Sequence, residues 1–289
     1  MKPALISLLL PTRGRPELAK RFMQSVAEQS IYPKDVEIIL YMDGDDIESH
    51  GIDYPGLNVQ RIIGPRQTMG AYNSECLDQS NGEIIVLVND DMVIRTHGWD
   101  ERLRQLDASF EDKVYLAYGN DLFKKGNLCT FPILSRKTCQ ALKEPYHRAY
   151  RGAFIDYHLM DIFKRLQHAG HNRIVYLEDV VFEHLHYRTG KAPIDATYTS
   201  RGRFDDDMLF VGLAGVRAAS LPLLLNAIRG TDCSEEVLLP FAPIEKPSSL
   251  WQAARMFTRV FLRDAALPLT WRFFMWWWFG ARYVASRIL

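Results

Sequence analysis

The chain has 289 residues, in which 35 lysines and arginines balance 35 aspartates and glutamates. This zero net charge excludes nucleic acid as a default partner, because such binding depends on an excess of positive charge. The hydrophobic share of 47% and the charged share of 24% are those of a globular protein, which excludes disordered and fibrous classes. The four cysteines show no CxxC spacing, which argues against a zinc ribbon or a disulfide scaffold and favours a reducing compartment.

A short apolar run near the start of the chain ends at Pro11 and has no small-residue cleavage site. It indicates a first strand and not a secretory signal, so we expect a cytoplasmic protein. Two similar runs follow, and the three predicted strands are residues 4–10, 36–42 and 83–88. The spacing of apolar residues after Pro16 and over residues 69–79 predicts two helices between these strands.

The same alternation of strands and helices continues further along the chain. The later predicted elements are a helix at 99–109, a strand at 114–118, a helix at 156–169 and a strand at 173–182. This pattern predicts an α/β fold in which helices cover a sheet. In such sheets, ligands bind beyond the carboxyl ends of the strands, where polar residues collect in this sequence.

The composition changes towards the end of the chain. Residues 251–289 contain six arginines but a single acidic residue, and they hold five of the six tryptophans. Such a change is typical of a boundary. We therefore expect a main domain over residues 1–220 and a helical, Arg- and Trp-rich extension over residues 221–289.

The segment EIIVLVNDDMV is informative because a buried strand delivers Asn89, Asp90 and Asp91 into a loop. A carboxylate at a strand end suits a hard divalent cation, Mg²⁺ or Mn²⁺, which neutralises a diphosphate. The alternative is an acidic turn that caps the next helix, since Asn and Asp favour such turns.

Four motifs follow one another along the chain: PTRGRP, YMDGDD, GPRQTMGAYNSE and IIVLVNDDMV. In this order they resemble the nucleotide-sugar-binding half of a GT-A glycosyltransferase, most closely one of family 2, over residues 4–190. The resemblance implies a Rossmann-like mixed sheet and a metal-dependent, inverting transfer of a sugar from a nucleoside diphosphate donor. It also implies Mn²⁺ or Mg²⁺ as cofactor and a role in assembling a bacterial surface polysaccharide or lipid-linked glycan.

The resemblance assigns most polar residues at the strand ends to donor binding. These residues are Pro11, Thr12, Arg13, Asp43, Arg66, Asn73, Asn89 and Asp90. Among them, Asp43 is expected to meet the base, and Asn73 matches the family's Arg-Asn-x-Gly position. Asn89 replaces the usual first Asp of the family's Asp-x-Asp element, which leaves Asp91 as the metal ligand.

A second cluster is the segment Glu183-His184-Leu185-His186 at the end of a predicted strand. In an extended chain His184 and His186 lie on one face, so either imidazole could complete a metal shell with Asp91 and phosphate oxygens. Alternatively, both histidines merely form hydrogen bonds in a polar cleft. The next loop carries cations suited either to a diphosphate on a mobile lid or to solvent: Arg188, Lys191, Arg201 and Arg203.

Inverting transfer needs a carboxylate that removes the proton from the acceptor hydroxyl. Two candidates lie on the helix predicted at 156–169, and they are separated by about 140° around its axis. Asp161 precedes Arg165 by four residues, a spacing typical of a surface ion pair. Asp156 is therefore the predicted base, and the alternative is a plain helix cap.

The C-terminal segment combines Arg255, Arg259 and Arg263, spaced four residues apart, with an aromatic cluster over residues 271–279. This pattern favours peripheral contact with a membrane. Its longest charge-free stretch is too short to span a bilayer, which takes roughly 20 residues. The alternative is a helix pair that packs on the main domain or on a second copy, as in a homo-oligomer.

The sequence therefore favours a glycosyltransferase that uses a nucleotide sugar and a glycan or lipid-linked acceptor. A sugar nucleotidyltransferase is an alternative, although the chain lacks a long Gly-rich, Lys-bearing phosphate loop near its start. A glycan-binding module without catalytic activity is a third possibility, because a fold does not fix a function.

Overall fold

The structure is a computed structural model that describes residues 3–186, 190–191, 202–231, 241 and 243–288. The strands of this part are β1 Ile6–Thr12, β2 Val36–Asp43, β3 Asn58–Gly64, β4 Ile84–Leu87, β5 Met92–Ile94, β6 Leu116–Asn120, β7 Ile133–Ser135 and β8 Ile174–His184. Its α-helices are α1 Pro16–Gln29, α2 Met69–Gln79, α3 Trp99–Ser109, α4 Arg136–Leu142, α5 Ile155–His168, α6 Asp207–Gly212, α7 Ala214–Arg229, α8 Leu250–Phe257 and α9 Leu269–Ile288.

One mixed sheet organises the chain, with the strand order β3-β2-β1-β4-β7-β6-β8-β5 among the described residues. The first four of these strands run parallel to one another. β7 is antiparallel to β4 and β6, and β5 is antiparallel to β8. This arrangement confirms the predicted mixed α/β sheet flanked by helices. It also brings the carboxyl ends of β1, β2 and β4 to one edge of the sheet.

Each face of the sheet has its own hydrophobic core, because successive residues of a strand point to opposite faces. Leu8 and Ile38 pack with α1 and α3 on one face. Leu9 and Ile39 pack on the other face, in the core that includes α5, α7, α8 and α9. Every residue of β1 and β2 is buried, as expected for parallel strands covered on both sides.

The C-terminal helices belong to the second of these cores. α7 continues through residue 220, so the expected domain boundary falls inside a helix. The ring of Phe210, before that boundary, lies 5.3 Å from the ring of Phe279 in α9, and both side chains are buried. Residues on the two sides of position 220 therefore share one core.

Asp161 in α5 forms the ion pair with Arg165 that its spacing predicts, but the prediction that this pair lies on the surface was wrong. Asp161 is 0% exposed. Its Oδ1 accepts hydrogen bonds from Nε of Arg165 and Nε of Arg217, and its Oδ2 accepts one from Nε1 of Trp271, each at 3.0 Å. Burial raises the pKa of this carboxyl, but the two guanidinium groups outweigh burial and hold the pKa below its ordinary value. Arg217 and Trp271 are distant in sequence, so helical spacing identifies Arg165 alone.

Candidate active site

A cleft of about 1340 Å³ lies at the carboxyl edge of the sheet. All predicted site residues except Asp43 line it: Pro11, Thr12, Arg13, Arg66, Asn73, Asn89, Asp90, Asp91, Asp156, His184 and His186. They come from the ends of β1, β4 and β8, from the loop after β3, from α2 and from the start of α5. Residues far apart in the sequence therefore meet because strand ends and helix starts converge on one edge.

Asp90 joins the end of β4 to the loop after β1. Its Oδ2 accepts a hydrogen bond from Oγ1 of Thr12 at 2.9 Å, and its Oδ1 forms an ion pair with Nη1 of Arg15 at 3.0 Å. Burial raises the pKa of Asp90 to about 6, although Arg15 opposes this shift. Asp90 thus fixes Thr12 and Arg15 in the cleft wall. Arg15 was not among the predicted site residues, although it lies within the PTRGRP motif.

Asp43, at the end of β2, is 1% exposed and contacts two residues of the cleft wall. Its Oδ2 accepts a hydrogen bond from Nη1 of Arg13 at 2.6 Å, and its Oδ1 accepts one from the Tyr72 hydroxyl at 2.5 Å. Arg13 also forms an ion pair with Asp45. Burial and the hydrogen bond to Asp43 raise the pKa of Tyr72. Asp43 therefore orients Arg13 and Tyr72, while its contact with a nucleotide base stays a prediction.

Asp91 and His184 form the pair from which a metal site was predicted. Oδ2 of Asp91 lies 3.3 Å from Nε2 of His184, and the two side chains are 4% and 8% exposed. Nδ1 of His184 is buried and has no hydrogen-bond partner among the described residues. The ring of His186 lies 5.0 Å from that of His184. The two histidines thus lie together, as the alternation along the strand predicts.

The donor atoms of Asp91 and His184 suit a divalent cation that takes its remaining ligands from a substrate. Among the described residues, no group of three or more His, Cys, Asp or Glu side chains is arranged to hold a metal. Mg²⁺ and Mn²⁺ sites in phosphate-transferring enzymes commonly use one or two carboxylates, with phosphate oxygens and water as the other ligands. A carboxylate, a buried imidazole nitrogen without a partner and an open cleft fit that kind of site.

Asn73 in α2 presents a second polar atom without a partner. The side chain is 1% exposed, it contributes to the cleft wall, and its Oδ1 has no hydrogen-bond partner among the described residues. A buried acceptor of this kind is costly unless a ligand or water satisfies it. Oδ1 of Asn73 is therefore a candidate to accept a hydrogen bond from a bound ligand.

Asp156 lies in the first turn of α5, two residues after the N-cap residue Phe154, so it is not itself the N-cap residue, although it accepts a hydrogen bond from a backbone N–H of that turn. Burial raises the pKa of Asp156 to about 6, although its Oδ1 accepts a hydrogen bond from the Tyr157 N–H at 2.8 Å. Lys124 and His184 are near enough to lower that pKa slightly. A carboxylate with a pKa near neutrality, open to a cleft, has the properties of a general base.

The C-terminal helix α9 contributes to the cleft, which the sequence analysis did not anticipate. Trp278 and Arg282 of α9 line the cleft beside Tyr157 of α5. The rings of Tyr157 and Trp278 lie 4.5 Å apart, and Arg282 forms an ion pair with Asp207 at 2.6 Å. No spacing rule connects residues 157 and 278, so only the folded chain reveals this aromatic wall.

Two of the four positively charged residues that were expected to face a diphosphate or solvent lie among the described residues. Arg203 lines the cleft. Lys191 instead forms an ion pair with Glu183 at 2.5 Å and is not among the residues that line the cleft. Arg188 and Arg201 lie outside the described residues.

Comparison with solved structures supports the fold. The mannosyltransferase PcManGT from Pyrobaculum calidifontis, in complex with GDP-Man and Mn²⁺, matches with a TM-score of 0.50 and 13% identity, over 100% of this chain and 87% of that chain. S. aureus TarS 1-349 matches with a TM-score of 0.52 and 16% identity, over 96% and 87% of the two chains. The complex of TarS 1-349 with UDP-GlcNAc matches with a TM-score of 0.50 and 15% identity, over 91% and 82%.

The chain has a GT-A-type glycosyltransferase fold. This finding confirms the predicted fold, and the similarity extends over the C-terminal helices because the matches cover nearly the whole chain. No family model matches the sequence, and no curated protein matches it. At 13–16% identity the similarity concerns the fold, so the chemistry has to be argued from the cleft itself.

Proposed function

We propose that this GT-A-type protein is an inverting glycosyltransferase that moves a sugar from a nucleoside diphosphate donor to an acceptor hydroxyl. One observation carries the proposal: the Asp91–His184 pair and Asp156, whose pKa is raised to about 6, line the same cleft. The Asp91–His184 pair suits a cation that holds a diphosphate, and Asp156 suits removal of a proton. The cleft thus offers the two functions that sugar transfer needs.

On the donor side, Asp91 and His184 would hold Mn²⁺ or Mg²⁺. When bound, the cation would neutralise charge on the diphosphate leaving group. PcManGT was solved with GDP-Man and Mn²⁺, which supports this type of donor and cofactor. Arg13 and Arg66 line the same cleft and supply positive charge for the donor. Asn73 would accept one hydrogen bond from it.

On the acceptor side, Asp156 would receive the proton of the attacking hydroxyl. The acceptor oxygen forms its bond to the anomeric carbon while the bond from that carbon to the diphosphate breaks, and the nucleoside diphosphate leaves with the electron pair. Attack from the face opposite the leaving group inverts the anomeric configuration. At neutral pH a base with a pKa of about 6 is ionised and still basic enough to take the proton.

Tyr157 follows Asp156 in the chain, and the aromatic wall that it forms with Trp278 lines the same cleft as Asp156. Flat aromatic faces with a nearby charged group suit a sugar ring, so this wall is a candidate acceptor site. We infer a glycan or a lipid-linked glycan as the acceptor, in the assembly of a surface polysaccharide. Other acceptors with a sugar at their end would fit the same wall.

The proposal is tested with a panel of nucleotide sugars that includes GDP-Man and UDP-GlcNAc, with Mn²⁺ or Mg²⁺ present. We expect release of nucleoside diphosphate from at least one donor, and loss of that release in Asp91→Ala. Asp179→Asn is a matched control, because Asp179 forms a surface ion pair with Arg102 outside the cleft. Exchange of pyrophosphate into a donor would instead indicate a nucleotidyltransferase. Glycan binding without any turnover would indicate a binding module.

A further inference from the structure

Helix α9 has an apolar surface on two opposite sides. One side is buried in the core through Trp271, Met275, Phe279 and Tyr283. The other side is exposed to solvent. A helix that is apolar all round is normally covered on all sides, so the exposed side of α9 calls for a partner.

The exposed side of α9 forms a continuous apolar stripe. Its members, with their exposed fractions, are Leu269 (61%), Phe273 (54%), Trp277 (65%), Val284 (42%) and Ile288 (78%). At about 100° per residue, these five positions fall within an arc of roughly 100° around the helix axis. The stripe therefore runs the length of α9 on the side away from the core.

Positive charge lies beside this stripe. α8 and the π-helical turn that follows it, Thr258–Leu262, pack against α9 as an antiparallel hairpin: Nε1 of Trp276 donates to Oγ1 of Thr258, and Arg287 donates to the carbonyl of Ser248. The hairpin buries Phe257. Three arginines of this segment and its following residue are exposed: Arg255, Arg259 and Arg263.

Within the part of the chain that the structure describes, acidic side chains of the hairpin do not balance these arginines. Between residues 249 and 288 the single acid is Asp264, and it forms an ion pair with the buried Arg165 at 2.6 Å. None of Arg255, Arg259 and Arg263 forms an ion pair with another described residue. The α8–α9 hairpin therefore exposes both the apolar stripe of α9 and Arg255, Arg259 and Arg263, and this exposed surface is called its outer side.

We propose that the outer side of the α8–α9 hairpin docks on an anionic lipid bilayer. Aromatic and aliphatic side chains enter the interface between headgroups and acyl chains, and arginines pair with anionic headgroups. Charge argues against a second copy of this chain as the occupant, because two-fold packing of this side would bring like-charged arginines together. No helix among the described residues is long and apolar enough to cross a membrane, so the proposal is for contact with the surface.

Docking on this side leaves the cleft one helix diameter, roughly 10 Å, from the lipid surface. Trp278 and Arg282, which line the cleft, lie on α9 on the side away from the exposed Phe273 and Trp277. A lipid-linked acceptor held in the bilayer would then present its glycan to the wall of Tyr157 and Trp278. This last step rests on the proposed function, whereas membrane docking itself does not.

Two double variants of the full chain test the proposal. Co-sedimentation is measured with vesicles of phosphatidylserine and phosphatidylcholine, and with vesicles of phosphatidylcholine alone. We expect the wild-type protein to bind the anionic vesicles at low salt and to bind less as the salt concentration rises. Arg255→Gln/Arg259→Gln should bind roughly 25-fold more weakly, at about fivefold per arginine. Phe273→Ser/Trp277→Ser should lose at least roughly tenfold.

The matched control is Arg61→Gln/Ile63→Ser on β3, which removes one exposed arginine and one exposed apolar side chain far from the hairpin. It should bind vesicles like the wild-type protein. Release of nucleoside diphosphate without vesicles should be unchanged in all three double variants, so loss of docking is distinguishable from failure of the proposed function. The proposal is overturned if the wild-type protein stays in the supernatant at low salt. It is also overturned if sedimentation reveals a dimer that Phe273→Ser/Trp277→Ser dissociates while vesicle binding is unaffected.

Discussion

Replacing Asp156 with Asn tests two consequences of one partly buried carboxyl. Asn keeps the shape and the Oδ1 acceptor that bonds to the Tyr157 N–H, but it is not a base and carries no charge. Turnover should therefore fall by roughly 100-fold or more while donor binding survives. The wild-type rate should also fall as the pH drops through about 6, the raised pKa of Asp156.

The acid limb of the wild-type rate does not by itself identify Asp156, because burial also raises the pKa of Asp90 to about 6. The pH dependence of the stability of Asp156→Asn distinguishes Asp156 from Asp90. Above pH 6, Asp156 is ionised in both the folded and the unfolded protein, and burial of the charge destabilises the folded state. Below its ordinary value of 3.8 the carboxyl is protonated in both states, and this cost vanishes.

The shift from 3.8 to about 6 corresponds to a cost of about 3 kcal/mol above pH 6, at 1.36 kcal/mol for each pH unit. Because the carboxyl of the unfolded protein is already partly ionised at pH 4, Asp156→Asn should gain about 2.5 kcal/mol of unfolding free energy relative to the wild-type protein between pH 4 and pH 8. Urea unfolding of both proteins at the two pH values measures this difference. Titrating groups other than Asp156 contribute equally to both proteins, so their contributions cancel in the difference. An equal difference between variant and wild type at both pH values would refute the buried-carboxylate argument.

Three further predictions concern other parts of the cleft and its support. Asp91→Ala should abolish turnover that depends on Mn²⁺ or Mg²⁺, as measured by nucleoside diphosphate release with and without a chelator; full activity of the variant would exclude Asp91 as the metal ligand. Asp161→Ala should lower the free energy of unfolding by about 3–5 kcal/mol in urea, because it leaves Arg165 and Arg217 buried without their shared carboxylate. Trp278→Ala should raise the KM for the acceptor much more than the KM for the donor in steady-state kinetics, and an equal rise in both would place Trp278 on the donor side.

Much of the fold could be predicted from local patterns. The runs that became β1, β2 and β4 are continuous and apolar because both sides of these strands are covered. α2 and α3 begin and end at the predicted residues. By contrast, β3 is half exposed and mixes polar with apolar residues, and β7 has only three residues, so neither gives a recognisable signal.

The end of the first strand was predicted too early, at the residue before Pro11. Proline lacks an N–H, and the first strand was expected to end before it. β1 nevertheless continues to Thr12. The reason lies in the pairing: β4 pairs with β1 only as far as Leu9, so one side of β1 carries no ladder at Pro11.

Likewise, some features of the candidate site could be predicted from the sequence and others could not. Strand ends could be predicted to converge, and Thr12, Asp91 and His184 do line one cleft. Contacts between distant segments could not be predicted. Trp278 reaches the cleft because α9 packs across α5, and Asp161 is buried because Arg217 and Trp271 converge on it.

The donor site itself can be tested by calorimetric titration of nucleotide sugars, with Mn²⁺ present, into the wild-type protein, Asp156→Asn and Asp91→Ala. If the cleft is a donor site that divides its work as proposed, one nucleotide sugar binds the wild-type protein and Asp156→Asn with similar Kd and binds Asp91→Ala much more weakly. If no nucleotide sugar binds, or if one binds with an affinity that does not depend on Asp91, the cleft is not the donor site that we propose.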